Sequence, residues 1–206
     1  MERCGNVLQK LQMKKEIITL GGGAGSGKDT ACIILIQKYL NDYQAVSIGD
    51  ITRKIGEEKI KELNLDLKDF NDFPAYARAH DIDYDVIADQ KLKELGETGN
   101  KLIVNCRLGF HFIPYSFKVY LHCPHHTAAK RVSQDPKRTD NKDSIEELTK
   151  RFIGREQSDD QYYHDRYGLN YMNIGNYDLI VNTDIYNQEE TAKYVHKHYC
   201  SWLQKS

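Results

Sequence analysis

The sequence predicts an α/β sandwich, a central and mostly parallel β-sheet between layers of helices. Three observations predict it. Short β-branched apolar runs recur along the 206 residues, amphipathic stretches of helical length separate them, and a glycine-rich segment joins the first run to the first helix. Apolar strands alternating with helices are the pattern of βαβ units, which pack a parallel sheet between helices.

The elements follow in order. Residues 16–20 (EIITL) form a short β-branched run that ends in glycines, which reads as a buried strand feeding a turn. Residues 30–39 (TACIILIQKY) continue as a helix with an apolar face. Further strands are expected at 45–48 (AVSI), 101–105 (KLIVN), 117–122 (FKVYLH) and 177–183 (YDLIVNT), and helices at 51–63, 67–79, 83–95, 125–133, 144–166 and 188–203. The stretch 133–144 (SQDPKRTDNKDS) is polar and without apolar anchors, so it is expected to be an exposed, mobile loop. In sheets of this kind ligands bind beyond the carboxyl ends of the strands.

The length fits one domain. That domain is expected to span 16–206, with residues 1–15 as an N-terminal extension and Met13 a plausible alternative start. With 29 basic against 30 acidic residues the net charge is −1, which provides no global field for a nucleic acid backbone. Any anion site is therefore local. The five cysteines (Cys4, Cys32, Cys106, Cys123, Cys200) are scattered and include no C-x-x-C pair, which argues against a disulfide framework or a zinc ribbon. No segment approaches the roughly 18 consecutive apolar residues of a membrane span, so the expected setting is the cytoplasm, without membrane or nucleic acid partners.

The chemistry begins at residues 21–30, GGGAGSGKDT. The phosphate-cradling pattern G-x-x-x-x-G-K-[ST] falls on Gly22, Gly27 and Lys28, and then asks for a hydroxyl residue where Asp29 stands. Glycines in such a loop let successive backbone N–H groups point at phosphate oxygens, and the following helix start adds a favourable dipole. Gly22, Gly23, Ala24, Gly25, Ser26, Gly27, Lys28, Asp29 and Thr30 are therefore the expected ATP-binding segment. A glycine-rich turn that binds nothing is the competing reading, and two correctly spaced glycines plus a lysine after a strand weigh against it.

The loop also resembles the G-x-x-G-x-G-K-G-T of nucleoside monophosphate kinases, with Asp29 in place of the fourth glycine and Thr30 in the hydroxyl role. The resemblance extends along 16–191. In chain order, SIGDITRKIGEE, DIDYDVIADQKLKELGETGN, NCRLGFHF, FKVYLHCP, AAKRV, RFIGREQSDDQYYHDRYG and NYDLIVNTD look like segments of the archaeal-type cytidylate kinase family and its bacterial relatives. That resemblance implies a P-loop NTPase fold of the NMP-kinase type, with a five-stranded parallel sheet, an acceptor-binding helical insertion around 50–96 and a lid around 133–156. It implies phosphorylation of CMP or dCMP by ATP with Mg2+, the metal meeting Thr30 directly or through water. The partners are then small-molecule nucleotides, and no oligomeric state is implied.

Carried over residue by residue, the family's S-x-G-D-[IL]-x-R falls on Ser47, Gly49, Asp50, Ile51 and Arg53, so Arg53 is expected to grip the acceptor phosphate with its guanidinium fork. The family's E-G-R-L-A-G is approximated by Asn105, Cys106, Arg107, Leu108 and Gly109, which gives Arg107 a phosphate or base contact while the Glu and the first Gly are lost. Arg131 opens the lid, and Arg151 and Arg155, four residues apart, share a helix face and are both expected to point into the cleft. With Lys28 they form the expected catalytic set, because a loose phosphoryl transition state spreads negative charge that converging cations stabilise. Arg138 is a further lid candidate, and Asp50 and Asp83 are candidate water or sugar contacts. No general base is needed, since the acceptor is already an ionised phosphate oxygen. The tyrosines Tyr162, Tyr163, Tyr167 and Tyr171 are expected to pack the lid helix rather than stack on bases. Histidine and cysteine in HCPHH and HKHYC have no zinc spacing.

Asp29 leaves its role open. A carboxylate in the first turn of a helix suits the dipole or completes a metal's water shell, yet it also brings negative charge near phosphates. Two other functions stand beside the cytidylate reading: a kinase of the same fold with another small acceptor, and a nucleotide-binding regulator without turnover.

Overall fold

The computed structural model describes residues 15–67, 73–80, 82, 85–136 and 138–205. The first 14 residues, and with them most of the expected extension, lie outside the described residues, as does Asp83. Five strands form one parallel sheet: β1 (Ile17–Gly22), β2 (Gln44–Ser47), β3 (Leu102–Asn105), β4 (Phe117–His122) and β5 (Leu179–Asn182). Their spatial order is β2-β3-β1-β4-β5. Ile18 is in register with Ile103 on one side and Phe117 on the other, so β1 is the central strand. All six of its residues are buried, as expected of a strand covered on both faces.

Eight helices are described. On one face α1 (Lys28–Lys38) and α8 (Gln188–Gln204) close over Ile18, Leu20, Leu35, Val119, Val195 and Tyr199. On the other, α2 (Ile48–Glu62), α4 (Asp85–Thr98), the short α5 (Gly109–Phe112) and α7 (Ile145–Tyr167) surround Ile17, Leu92, Val104, Leu108, Tyr163 and Tyr171. The remaining two are α3 (Phe73–Ala79) and α6 (His125–Ser133), the latter joined to the start of α7 by Ala128, Val132, Leu148 and Phe152.

Several boundaries differ from the expected ones for local reasons. The second strand was expected to run through Ile48, but Ser47 turns the chain: its hydroxyl accepts from the Asp50 N–H and caps α2, which begins three residues earlier than periodicity suggests. The helix expected over 67–79 is described only as Phe73–Ala79, since residues 68–72 lie outside the described residues. The polar stretch 133–144 carries a 3-10 turn, Thr139–Lys142, and Asn141 Nδ2 donates to the Asp135 carbonyl at 3.1 Å. Its end is set by a capping box, in which Ser144 and Glu147 satisfy each other's backbone N–H.

Candidate active site

The glycine loop leaves the carboxyl end of β1 and enters α1. Gly22 has φ +141° and Gly25 φ +67°; a Cβ at the first would sit 2.5 Å from the Leu121 carbonyl and at the second 2.8 Å from the Ala128 carbonyl. Any other residue there would be strained and would push the loop off β4 and α6. Lys28 folds its ammonium back into the ring, donating to the carbonyls of Gly22 (2.9 Å) and Gly23 (2.7 Å). Burial and the nearby charge of Arg107 push its pKa down to about 8. The negative charge of a phosphate in the loop would favour the charged lysine and oppose this shift.

Two clefts open on either side of this loop. The first is lined by Ser47, Gly49, Asp50 and Arg53 of the α2 start, Arg78, Asp85, Asn105, Arg107, Arg155, Asp159, Tyr163 and Tyr167. The second is lined by residues 25–31, Arg131, Asp135, Arg138, Thr183, Tyr186 and Thr191. Gly25, Lys28, Asp29 and Arg138 line both, so the clefts meet at the loop lysine.

The structure thus brings Asp50, Arg53, Arg107 and Arg155 to one cleft and Thr30 and Arg131 to the other. Arg131 is anchored there: its guanidinium donates to the Thr183 carbonyl at 2.5 Å, to the Thr183 hydroxyl at 3.1 Å and to the Gly25 carbonyl at 3.4 Å. It clamps the loop to the exit of β5. Arg151 departs from its expected placement, because it lines neither cleft and pairs with Asp143 at the start of α7. Sharing a helix face with Arg155 is not enough, since one turn displaces it by about 5.4 Å along the axis. Tyr163 and Tyr171 pack in the core as expected, but Tyr163 also shows an edge to the first cleft.

Two residues with prominent roles in this cleft were not anticipated. Asp159, only 4% exposed, lies 2.7 Å from Arg107 Nη1, 3.1 Å from Arg78 Nη1 and 3.8 Å from Arg155 Nε. Arg78 also bonds Asp85 at 3.2 Å and lies over the Tyr162 ring at 3.9 Å. The one available sequence signal was the i,i+4 spacing of Arg155 and Asp159. Nothing in the sequence tied Arg78 to either.

A magnesium ion fits the donor set near Thr30. Hard oxygen donors suit it, and Thr30 and Asp29 supply a hydroxyl and a carboxylate in a cleft whose described lining holds no imidazole or thiol.

Residues 18–163 match the AAA domain family. A cytidylate kinase of Methanobrevibacter smithii is 31% identical over 180 residues, covering 87% of this chain and 95% of that protein. The chain belongs to the cytidylate kinase family. Among further family-like sequences, an S-adenosylmethionine-dependent nucleotide dehydratase of Lacinutrix mariniflava is 33% identical over 90% of this chain, but the chain spans only 36% of that longer protein. A shikimate kinase from Bacteroides thetaiotaomicron superposes with a TM-score of 0.55 at 15% identity, over 92% of this chain and 98% of its own, a likeness of fold. The family's P-loop kinase scaffold is therefore present here, with its loop, five-stranded parallel sheet and flanking helices.

Proposed function

We propose that this protein transfers the terminal phosphoryl group of ATP to a nucleoside monophosphate, with CMP or dCMP the foremost acceptors. The observation that carries the reading is the meeting of the two clefts at Lys28. A phosphoryl donor on the Thr30 side and an acceptor on the Arg53 side face each other across the loop, which turns a bimolecular encounter into a positioned in-line transfer.

The roles follow from position. Backbone N–H groups of residues 22–27 hold the donor's phosphates, and Lys28 leaves its loop carbonyls to neutralise the transferring group. Arg53 and Arg107 hold the acceptor's phosphate, Asp50 caps that wall, and Arg155 and Arg138 converge on the junction. Thr30 would hold the magnesium that the nucleotide carries, which would supply charge neutralisation. Arg131 acts by holding the loop against β5, and Arg151 is left outside the machinery. Arg53, Arg78 and Asp85 of the proposed acceptor-binding insertion line the acceptor cleft, and the lid in this reading is residues 133–156.

Likeness to cytidylate kinases over most of both chains supports the cytosine nucleotide as acceptor. The test is ADP release with CMP, dCMP, UMP, AMP, GMP and dTMP offered in turn. Turnover fastest with CMP or dCMP is expected. Turnover confined to another acceptor would replace the cytidine assignment, and none with any acceptor, despite ATP binding, would turn the protein into a nucleotide-binding regulator.

A further inference from the structure

In P-loop proteins the nucleotide's magnesium is held by the hydroxyl after the loop lysine and by a carboxylate on a neighbouring strand. The strands beside β1 are β3 and β4, and they end in Asn105 and His122. Neither tip carries a carboxylate. Asp29 supplies one from another direction: it is exposed in the first turn of α1, adjoins Thr30 and lines both clefts. Asn105 Nδ2 donates to Asp29 Oδ1 at 2.5 Å. The two departures from the resembled motifs, Asp for Gly at 29 and Asn for Glu at 105, are therefore one hydrogen-bonded pair in space.

We propose that Asp29 is the carboxylate that accepts hydrogen bonds from the magnesium's water shell, moved from the strand tip to the loop, and that Asn105 is the residue that positions it. This rests on the phosphotransfer reading and adds a metal-side role to the loop. Magnesium dehydrates reluctantly and keeps several waters, so a carboxylate one shell out is chemically suited to it. An amide is the right partner. It fixes Oδ1 and leaves Oδ2 to accept from coordinated water, whereas a second carboxylate at 105 would set two like charges in contact. The exchange also accounts for a negative charge inside a phosphate loop, since the metal compensates it.

The experiment is calorimetric titration of ATP in excess magnesium and again in EDTA. It uses the full chain and its variants Asp29→Asn, Asn105→Asp and Asp29→Asn/Asn105→Asp. The parent is expected to bind ATP more tightly with magnesium. Asp29→Asn should lose about tenfold of that magnesium-dependent gain, the worth of one charged hydrogen bond, while its affinity in EDTA stays equal or tightens. Asn105→Asp alone should weaken ATP binding in EDTA, because two carboxylates then face the phosphates. The double exchange should recover most of the gain, because the carboxylate is back at the strand tip. If Asp29→Asn keeps the full gain and only melts lower, Asp29 is a helix-start residue and the proposal fails. It also fails if the double variant is no better than Asp29→Asn. A parent that binds no ATP under either condition would instead remove the phosphotransfer reading, and this inference with it.

Discussion

The two walls of the cleft gather positive charge in opposite ways. On the donor side most of it comes from one continuous segment, residues 22–30, with neutral backbone N–H groups, a helix start and one lysine that rests on the carbonyls of Gly22 and Gly23, and Arg131 and Arg138 add to it at the edge of the cleft. On the acceptor side it comes from guanidinium groups in separate elements, Arg53 in α2, Arg78 in α3, Arg107 after β3 and Arg155 in α7. Backbone dipoles carry no net charge, so they converge with little repulsion and need no counter-ion. Converging arginines do repel, and the fold answers with Asp159, a buried carboxylate within 4 Å of three of them. A loop can thus be a phosphate site by itself, whereas a set of arginines becomes one only with something to hold it together.

The sharpest way to break the donor wall is Lys28→Ala. It should lower kcat by about 10²–10³-fold, the scale of losing one preorganised charge-stabilising group, with a normally folded protein by circular dichroism. Phosphoryl transfer near the parent rate would show that the loop is not where the chemistry happens.

Asp159→Ala tests the other wall. Removing one partner of a buried ionic group leaves uncompensated charge, at a cost of about 3 kcal/mol, which for a chain of this size means a melting temperature lower by roughly 6–12 °C. The KM for the monophosphate should rise with it. An unchanged melting temperature would mean that the arginines do not depend on Asp159.

Arg53→Ala sharpens the division of labour between the walls. It should raise the acceptor's KM roughly ten- to a hundredfold, the worth of a charged hydrogen bond pair, and leave ATP affinity alone. A selective loss of ATP binding, read by titration without acceptor, would move Arg53 to the other side.

The smallest expected effect is a proton. Lys28 is held near pKa 8 in the free protein, lowered first by burial and then by Arg107. ATP phosphates favour its charged form, so binding near pH 8 should take up about half a proton through Lys28, and near pH 6.5, where Lys28 is already protonated, that contribution falls to almost none. Binding enthalpies measured in buffers of different ionisation enthalpy give this number directly, and Lys28→Met should reduce it to zero. The linked effect on folding has a definite sign. A lysine with a lowered folded pKa costs stability in full below about pH 8, and the cost fades as pH rises toward its ordinary value of 10.5.

The donor wall was legible before any coordinates because its determinants are neighbours in the chain. Spacing alone placed Gly22, Gly27 and Lys28 between a strand and a helix, with Thr30 added by resemblance, and the strands and most helices were legible for the same reason, since period and turn residues act over a few positions. Boundaries failed where a side chain intervened, as when Ser47 capped α2 and moved its start to Ile48.

The acceptor wall was legible only through resemblance, and incompletely. Arg53 and Arg107 lay in motif-like segments, but the convergence of Arg78, Arg107 and Arg155 on Asp159 joins residues up to 81 positions apart, and no periodicity encodes that. The same limit applies inside the loop. The sequence by itself determined that a carboxylate stands at position 29 and an amide at position 105; the pairing of β1 with β3 decided that they touch. Local chemistry is written in spacing, because a few residues of chain have few conformations. Contacts between distant charges are set by how the sheet orders its strands and how helices pack across it, and that order exists only once the core has closed.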